Sequence, residues 1–454
     1  MAARRMSVGE VIDASGFTSY QFLICFLCFL VTFLDGFDIL VIAVALPKMA
    51  EFLRVKPSAL GLAMSAGQFG PLIGAIILGM LADRFGRKWM LTFSALIFGA
   101  FTLMTAFAVS VEQVALYRFL AGLGLGGAIP NALAFGSEYA PSRSKATFIT
   151  TMYAGMPAGA MVSGFAAIWL IPHLGWQSLF ILGGIAPILI AILVGFTLPE
   201  SLDFLVRRSK DKMRVHKIVA RLMPALADDR QIEFFSSEQK AKGVPVKLLF
   251  TEGRAVNTVL LWIGLAGSLY TLWVISSWAP TLLKNAGATV QQYSLASAAI
   301  GIGATAANLF VGRVMDRVNP FKVLTVGFVL AFLSLIMFGL YVGSPFFIIF
   351  ILSVLCGIFI NGSNAGFLAI VTIFYPSAIR GTGTGWAYAV AKIGAMAAPA
   401  MGGAFLAWNW SVSKICASNG VAALIVAVVV VILGVRMGAA AAREKREVAL
   451  NTTT

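Results

Sequence analysis

Residues 79–88 read GMLADRFGRK, and residues 312–322 read GRVMDRVNPFK. Gly79, Asp83 and Arg84 match Gly312, Asp316 and Arg317 at one constant offset of 233 residues. Each copy closes a long apolar run, so the chain reads as two related membrane halves. Halves duplicated in this way indicate a transporter more than a channel or an enzyme. A helix needs about 20 mainly apolar residues to cross a hydrocarbon core of about 30 Å. Twelve runs meet that requirement, at residues 20–46, 58–82, 89–109, 113–137, 146–170, 176–198, 255–280, 291–313, 321–342, 345–371, 381–406 and 417–437. The sequence therefore predicts an all-α membrane protein of twelve transmembrane helices in two pseudo-symmetric six-helix bundles.

Composition agrees with that reading. Of 454 residues, 59% are hydrophobic and 12% charged, against about 45–50% and about 25% in soluble domains. The net charge of +15 would suggest nucleic acid in a soluble protein, but its placement here follows topology. With both termini inside, 27 Lys and Arg fall in inner loops and only five (Lys48, Arg54, Lys56, Lys284 and Lys414) outside. Positive loops stay cytoplasmic, which assigns both termini to the cytoplasm. The expected divisions are a cytoplasmic N-terminal segment 1–19, a bundle 20–198, a cytoplasmic central loop 199–253, a second bundle 254–437 and a cytoplasmic tail 438–454. Within the central loop, Phe204 to Leu222 has apolar residues at helical spacing among basic ones, as expected of a helix lying on an anionic leaflet. Cys25, Cys28, Cys356 and Cys416 lack the loops and extra ligands of a metal site and read as packing residues. No nucleophile with its base and no His, Cys or carboxylate cluster converges in the spans, which argues against a membrane enzyme.

An ionisable group within a span costs about 2.5–3.5 kcal/mol on insertion scales, so each requires a reason. Asp35 and Asp38, three residues apart, share one helix face. Two carboxylates in a partly dry setting repel, which makes the pair a proton site; the competing reading is a structural ion pair. Arg118 in span 4 lies near the same depth, followed by Gly122 and Gly126, a small-xxx-small face for a neighbouring helix. It is read as stabilising the unprotonated aspartate, either in proton exchange or in a structural pair. Lys392 in span 11 lies about 18 Å from the inner face by the helical rise and is the leading anchor for an anionic substrate; alternatively it balances the aspartates. Trp386, Tyr388 and Phe37 are candidates to stack on a substrate ring, and Asn361 and Asn364 to bond its oxygens. Asp83, Arg84, Arg87, Lys88, Glu138, Arg143, Asp316 and Arg317 lie at inner helix ends, where pairs that form and separate would serve as gates. A solvated loop is the bland alternative.

Four further stretches narrow the class: DGFD at 35–38, RFLAGLGLGGAIPN at 118–131, SEYAPSR at 137–143 and YPSAIRGTGTGWAYAVAKIGA at 375–395. Together with residues 79–88 they resemble the major facilitator superfamily, and within it the aromatic acid:proton symporter family. The resemblance covers nearly the whole chain. It implies a monomeric transporter of the bacterial inner membrane that imports a benzoate-like or hydroxylated aromatic carboxylate with protons. The proton is the coupling ion, and no other cofactor, metal or nucleic-acid partner is implied. In family terms Arg118 matches the span 4 arginine associated with proton coupling. Family members usually carry Arg at the position of Lys392 and Gln near that of Asn364. Proton-driven efflux, or uptake of another organic anion or amphipathic compound, is the alternative; the glycines and proline of span 5 (Gly155, Pro157, Gly159, Gly164) only loosely match an antiporter motif.

Overall fold

The computed structural model describes residues 5–16, 18–208, 212–223, 232–235, 246–376 and 379–451. Among them, twelve helices are long and apolar enough to cross a membrane, here numbered spans 1 to 12: Ser19–Leu53, Pro57–Ala82, Arg87–Thr105, Val111–Glu138, Thr147–Leu174, Gln177–Thr197, Ala255–Asn285, Val290–Arg317, Pro320–Leu340, Phe346–Phe374, Thr382–Ala407 and Val412–Gly438. Span 1 runs past the expected end near Pro47, because Lys48 and Glu51 pair at 2.8 Å across one helical turn and carry the helix on. The last helix continues to Asn451, through an alanine-rich stretch of strong helix formers.

The chain forms two compact units, Met1–Leu53 with Ala66–Ala241, and Arg54–Ser65 with Lys242–Thr454. In the first, glycine permits backbone to touch backbone. A Cβ on Gly36 would lie 1.8 Å from the Met156 carbonyl oxygen of span 5, and one on Gly159 would lie 1.8 Å from that of Phe33 in span 1. Spans 1 and 5 thus seat in each other, with Gly36 set between the two aspartates of the DGFD stretch. Gly122 and Gly126 of span 4 meet Pro71 of span 2 in the same way.

One end of this unit carries a small folded cap. Arg5–Ser7 pairs in parallel with Glu233–Phe235, and Ser7 and Glu10 form a capping box that starts the helix Val8–Ala14. Val8, Val11 and Ile12 pack with Val215, Ile218, Val219 and Leu222 and with Ile24, Cys28, Tyr139 and Phe148. This corrects the expectation of a single helix over 204–222 lying on the leaflet. Two helices, Leu202–Arg208 and Lys212–Leu222, occupy the region. The apolar face of the second is covered by protein, because the N-terminal helix offers a matching face nearby.

In the second unit, the first residues of span 2 pack on span 11: Ser65 Oγ donates to the Met396 carbonyl oxygen at 2.8 Å. Span 10 contains a π-helical turn at Gly357–Asn361, a local widening of the kind that often marks functional positions. Gly394 brings span 11 against span 7, where a Cβ would lie 2.0 Å from the Ala266 carbonyl oxygen.

Candidate functional site

In the first unit, Asp38 and Arg118 form a two-pronged ion pair. Nη1 donates to Oδ1 at 2.8 Å and Nη2 to Oδ2 at 2.5 Å. Both side chains are buried, at 1% and 7% exposure, and Thr102 Oγ1 of span 3 donates to Asp38 Oδ1 at 3.3 Å. The fork geometry of guanidinium matches a carboxylate on both oxygens, which makes such a pair strong and directional. It links span 1 to span 4 while span 3 adds a hydroxyl. Asp35, one turn away and 4% exposed, is close enough for its charge to act on Arg118. Gly67 of span 2 leaves room beside the arginine: a Cβ there would lie 3.5 Å from Arg118 Cβ. Two carboxylates therefore share one permanent cation. The two-pronged bond uses both Asp38 oxygens as acceptors, so a proton on either one weakens it.

In the second unit, Lys392 is partly buried, with Nζ 5.4 Å from the centroid of the Tyr388 ring. Residues four apart on a helix lie on one face and residues six apart do not. Tyr388 accordingly meets the lysine, whereas Trp386 turns away and stacks on Trp262 at 6.4 Å between centroids. Asn364 Nδ2 donates to Ser268 Oγ of span 7 at 2.8 Å, and Asn361 closes the π-helical turn. Phe37 is 3% exposed and faces Gly183 of span 6. It packs into the core here, while its neighbour Gly36 meets span 5.

The charges at these helix ends divide. Arg87 Nε and Glu138 Oε1 pair at 2.8 Å, with the glutamate nearly buried. Arg84 is exposed and lies over the Phe85 ring at 5.5 Å. Arg143, Asp316 and Arg317 are exposed. The Lys88 side chain lies over the Trp89 ring at 5.2 Å, while its backbone N–H donates to Glu200. The side chain of Asp83 lies outside the described residues.

Glu200, just beyond span 6, was not marked by the sequence reading. Its carboxylate accepts the N–H groups of Lys88 at 3.1 Å and Ser201 at 2.9 Å, so it caps the first turn of span 3 from a distant segment. The residue at the start of that helix is Gly86, with φ 97° and no side chain to cap it. A Cβ there would lie 2.2 Å from Glu200 Oε2. Burial pushes the Glu200 carboxyl above its ordinary range, against the opposing effect of these N–H bonds. The carboxylate of the PES stretch at residues 199–201, just past span 6, was the available signal, but nothing in spacing ties it to residue 88. All four cysteines are buried and unpaired by disulfide.

Twelve spans in two units, with ionisable groups held at depth, define a multi-pass membrane transport protein. The chain belongs to the major facilitator superfamily: a family model of that description matches residues 28–265 and 261–452. It is 36% identical to the 4-hydroxybenzoate transporter PcaK of Acinetobacter baylyi over 89% of each chain. It is 32% identical to a gallate transporter of Pseudomonas putida, over 88% of this chain and 89% of that one. It is 31% identical to a benzoate transport protein of A. baylyi, over 88% and 87%. Among solved structures, a D-xylose-proton symporter superposes with a TM-score of 0.71 at 17% identity, over 91% of this chain and 97% of that one, which shows the shared fold.

Proposed function

We propose that the protein is a proton symporter importing a benzoate-like or hydroxylated aromatic carboxylate across a bacterial inner membrane by alternating access. The observation that carries the substrate class is the similarity, over nearly nine-tenths of the chain, to transporters named for 4-hydroxybenzoate, gallate and benzoate. The Asp38–Arg118 pair supplies a chemically sufficient coupling device. A proton on Asp38 neutralises the carboxylate and releases Arg118 to Asp35, and loss of the proton restores the pair. Moving Arg118 from Asp38 to Asp35, one turn along the same helix, changes the level at which span 4 is tied to span 1, and an element with two arrangements can bias a transport cycle. Lys392 anchors the carboxylate through a charge-assisted bond, and the Tyr388 ring beneath it offers a face to the aromatic ring. Lysine lacks the arginine fork, so the anchor tolerates more than one carboxylate orientation.

Uptake of labelled 4-hydroxybenzoate, benzoate and gallate into proteoliposomes, with and without an inward proton gradient, tests this reading. Gradient-dependent accumulation of at least one acid is expected, with loss of binding in Lys392→Ala and partial retention in Lys392→Arg. Accumulation indifferent to the proton gradient overturns the coupling, and outward pumping overturns the direction. Parent-level binding of the acid by Lys392→Ala moves the anchor elsewhere.

A further inference from the structure

A cavity of about 290 Å³ opens in the first unit between the start of span 3, the end of span 6 and the helix Lys212–Leu222. Lys88, Arg214, Lys217 and Arg221 line it, with Glu200 as the carboxylate among them. Arg214, Lys217 and Arg221 fall at i, i+3 and i+7 of one helix, so they share a face. The opposite face of that helix, through Val215, Val219 and Leu222, is buried in protein. The basic side is therefore held in place as the wall of a cavity. Glu200 is outnumbered four to one by these cations, and its Oε1 accepts the N–H groups of Lys88 and Ser201. The arrangement concentrates four cations around a space of roughly ten water volumes.

The other edge of the cavity is apolar and outward-facing. Trp89 also lines it and is 56% exposed; one turn further, Phe93 is 53% exposed. Spans 3 and 6 pack with Gly99 against Gly184 and Gly195 against Thr92. That antiparallel register brings the highly exposed Phe196 of span 6 to the same end as Trp89. Tryptophan at a helix end with exposed apolar side chains beyond it is the pattern of the headgroup boundary. The charge bias of the loops assigns this end to the cytoplasmic leaflet, where anionic lipids meet basic pockets beside helices.

We propose that this cavity binds the headgroup of a net-anionic phospholipid. The phosphodiester sits among Lys88, Arg214, Lys217 and Arg221, and the acyl chains descend along Trp89, Phe93 and Phe196. Bound there, the lipid bridges span 3 to the cap helix Lys212–Leu222. The shared chemistry is a phosphate oxyanion, so the test separates the lipid from free phosphate.

Native mass spectrometry of the full chain in detergent, titrated with phosphatidylglycerol, phosphatidylcholine or inorganic phosphate, reads the bound species. One phosphatidylglycerol should be retained in preference to phosphatidylcholine, and millimolar phosphate should not displace it. Arg214→Gln/Lys217→Gln/Arg221→Gln should weaken that retention roughly 100-fold at low salt, from about fivefold for each basic residue at a membrane surface. Arg313→Gln/Lys322→Gln, which removes exposed cations from the other unit, should leave it unchanged. Phe93→Glu keeps every cation, sets a charge in the path of the chains and should also lower retention. Equal retention of both lipids by the parent, unchanged preference in both the triple variant and Phe93→Glu, or full displacement by phosphate overturns the proposal.

Discussion

Replacing Arg118 with methionine removes the cation but keeps an unbranched side chain of comparable reach. Asp38 then remains at 1% exposure with Thr102 as its one remaining hydrogen-bond donor among the bonds described above. Breaking a buried pair from one side costs about 3–5 kcal/mol, because an uncompensated charge stays behind. The protein can avoid that cost by taking a proton onto the carboxylate. At pH 7 this costs about 4 kcal/mol, from 1.36 kcal/mol per pH unit above the ordinary aspartate value of about 3.9, and at pH 5 only about 1.5 kcal/mol. The destabilisation of Arg118→Met should therefore shrink by about 2 kcal/mol between pH 7 and pH 5. Adding Asp38→Leu removes the stranded charge, so the double variant should unfold close to the parent, within about 1 kcal/mol. Reversible unfolding in mixed micelles with SDS, followed by tryptophan fluorescence at both pH values, measures all four corners of the cycle. A penalty for Arg118→Met below about 1 kcal/mol at pH 7, or one of equal size at pH 5, would refute the reasoning.

Gly36→Ala sets a methyl where the Met156 carbonyl oxygen lies 1.8 Å away; spans 1 and 5 must separate, and the yield of folded protein on size exclusion should fall severalfold. Burial raises the Glu200 carboxyl, so the folded state holds its proton more tightly than the unfolded state. The stability from this group is present below the ordinary carboxyl value and lost as pH rises through the raised one. Thermal unfolding between pH 4 and 8 should show that decline in the parent and a flatter profile in Glu200→Gln. Arg87→Gln breaks the pair with Glu138 and should slow substrate exchange while equilibrium binding changes less than threefold, since a gate pair alters populations rather than the binding groups. Rates and affinities that move together in that variant would place Arg87 in the binding chemistry.

Apolar length made the helices legible, because the membrane imposes it on any spanning chain, and the repeated Asp-Arg pair marked the two halves. Depth along the chain also placed Asp38 and Arg118 correctly enough to suggest a pair, since rise per residue is fixed in a helix. Azimuth was harder. Trp386 and Tyr388 both precede Lys392 in span 11, but only Tyr388, four residues before it, shares its face. Phe37 adjoins two buried carboxylates and packs into span 6, where it is core. Its aromatic character carried no information about which way it turned.

What stayed hidden depended on segments far apart in the chain. The basic helix Lys212–Leu222 has the composition of a leaflet-binding helix, and that composition is satisfied equally by a protein partner for its apolar side. The N-terminal residues Val8, Val11 and Ile12 provide that partner, and no periodicity in residues 204–222 could have announced it. Glu200 behaves likewise: its role follows from Gly86, whose missing Cβ and positive φ leave the start of span 3 uncapped and open to a carboxylate 114 residues later. The fold thus ties the repeated segment at residues 79–88 to the end of span 6 through the Lys88 N–H, and to span 4 through Arg87 and Glu138. Both ties fall on adjacent residues, Arg87 and Lys88, at the start of span 3, the helix that farther along donates Thr102 to the buried aspartate. The same short repeated segment thus carries two ties, a carboxylate cap and an ion pair, at the start of the helix that also reaches Asp38.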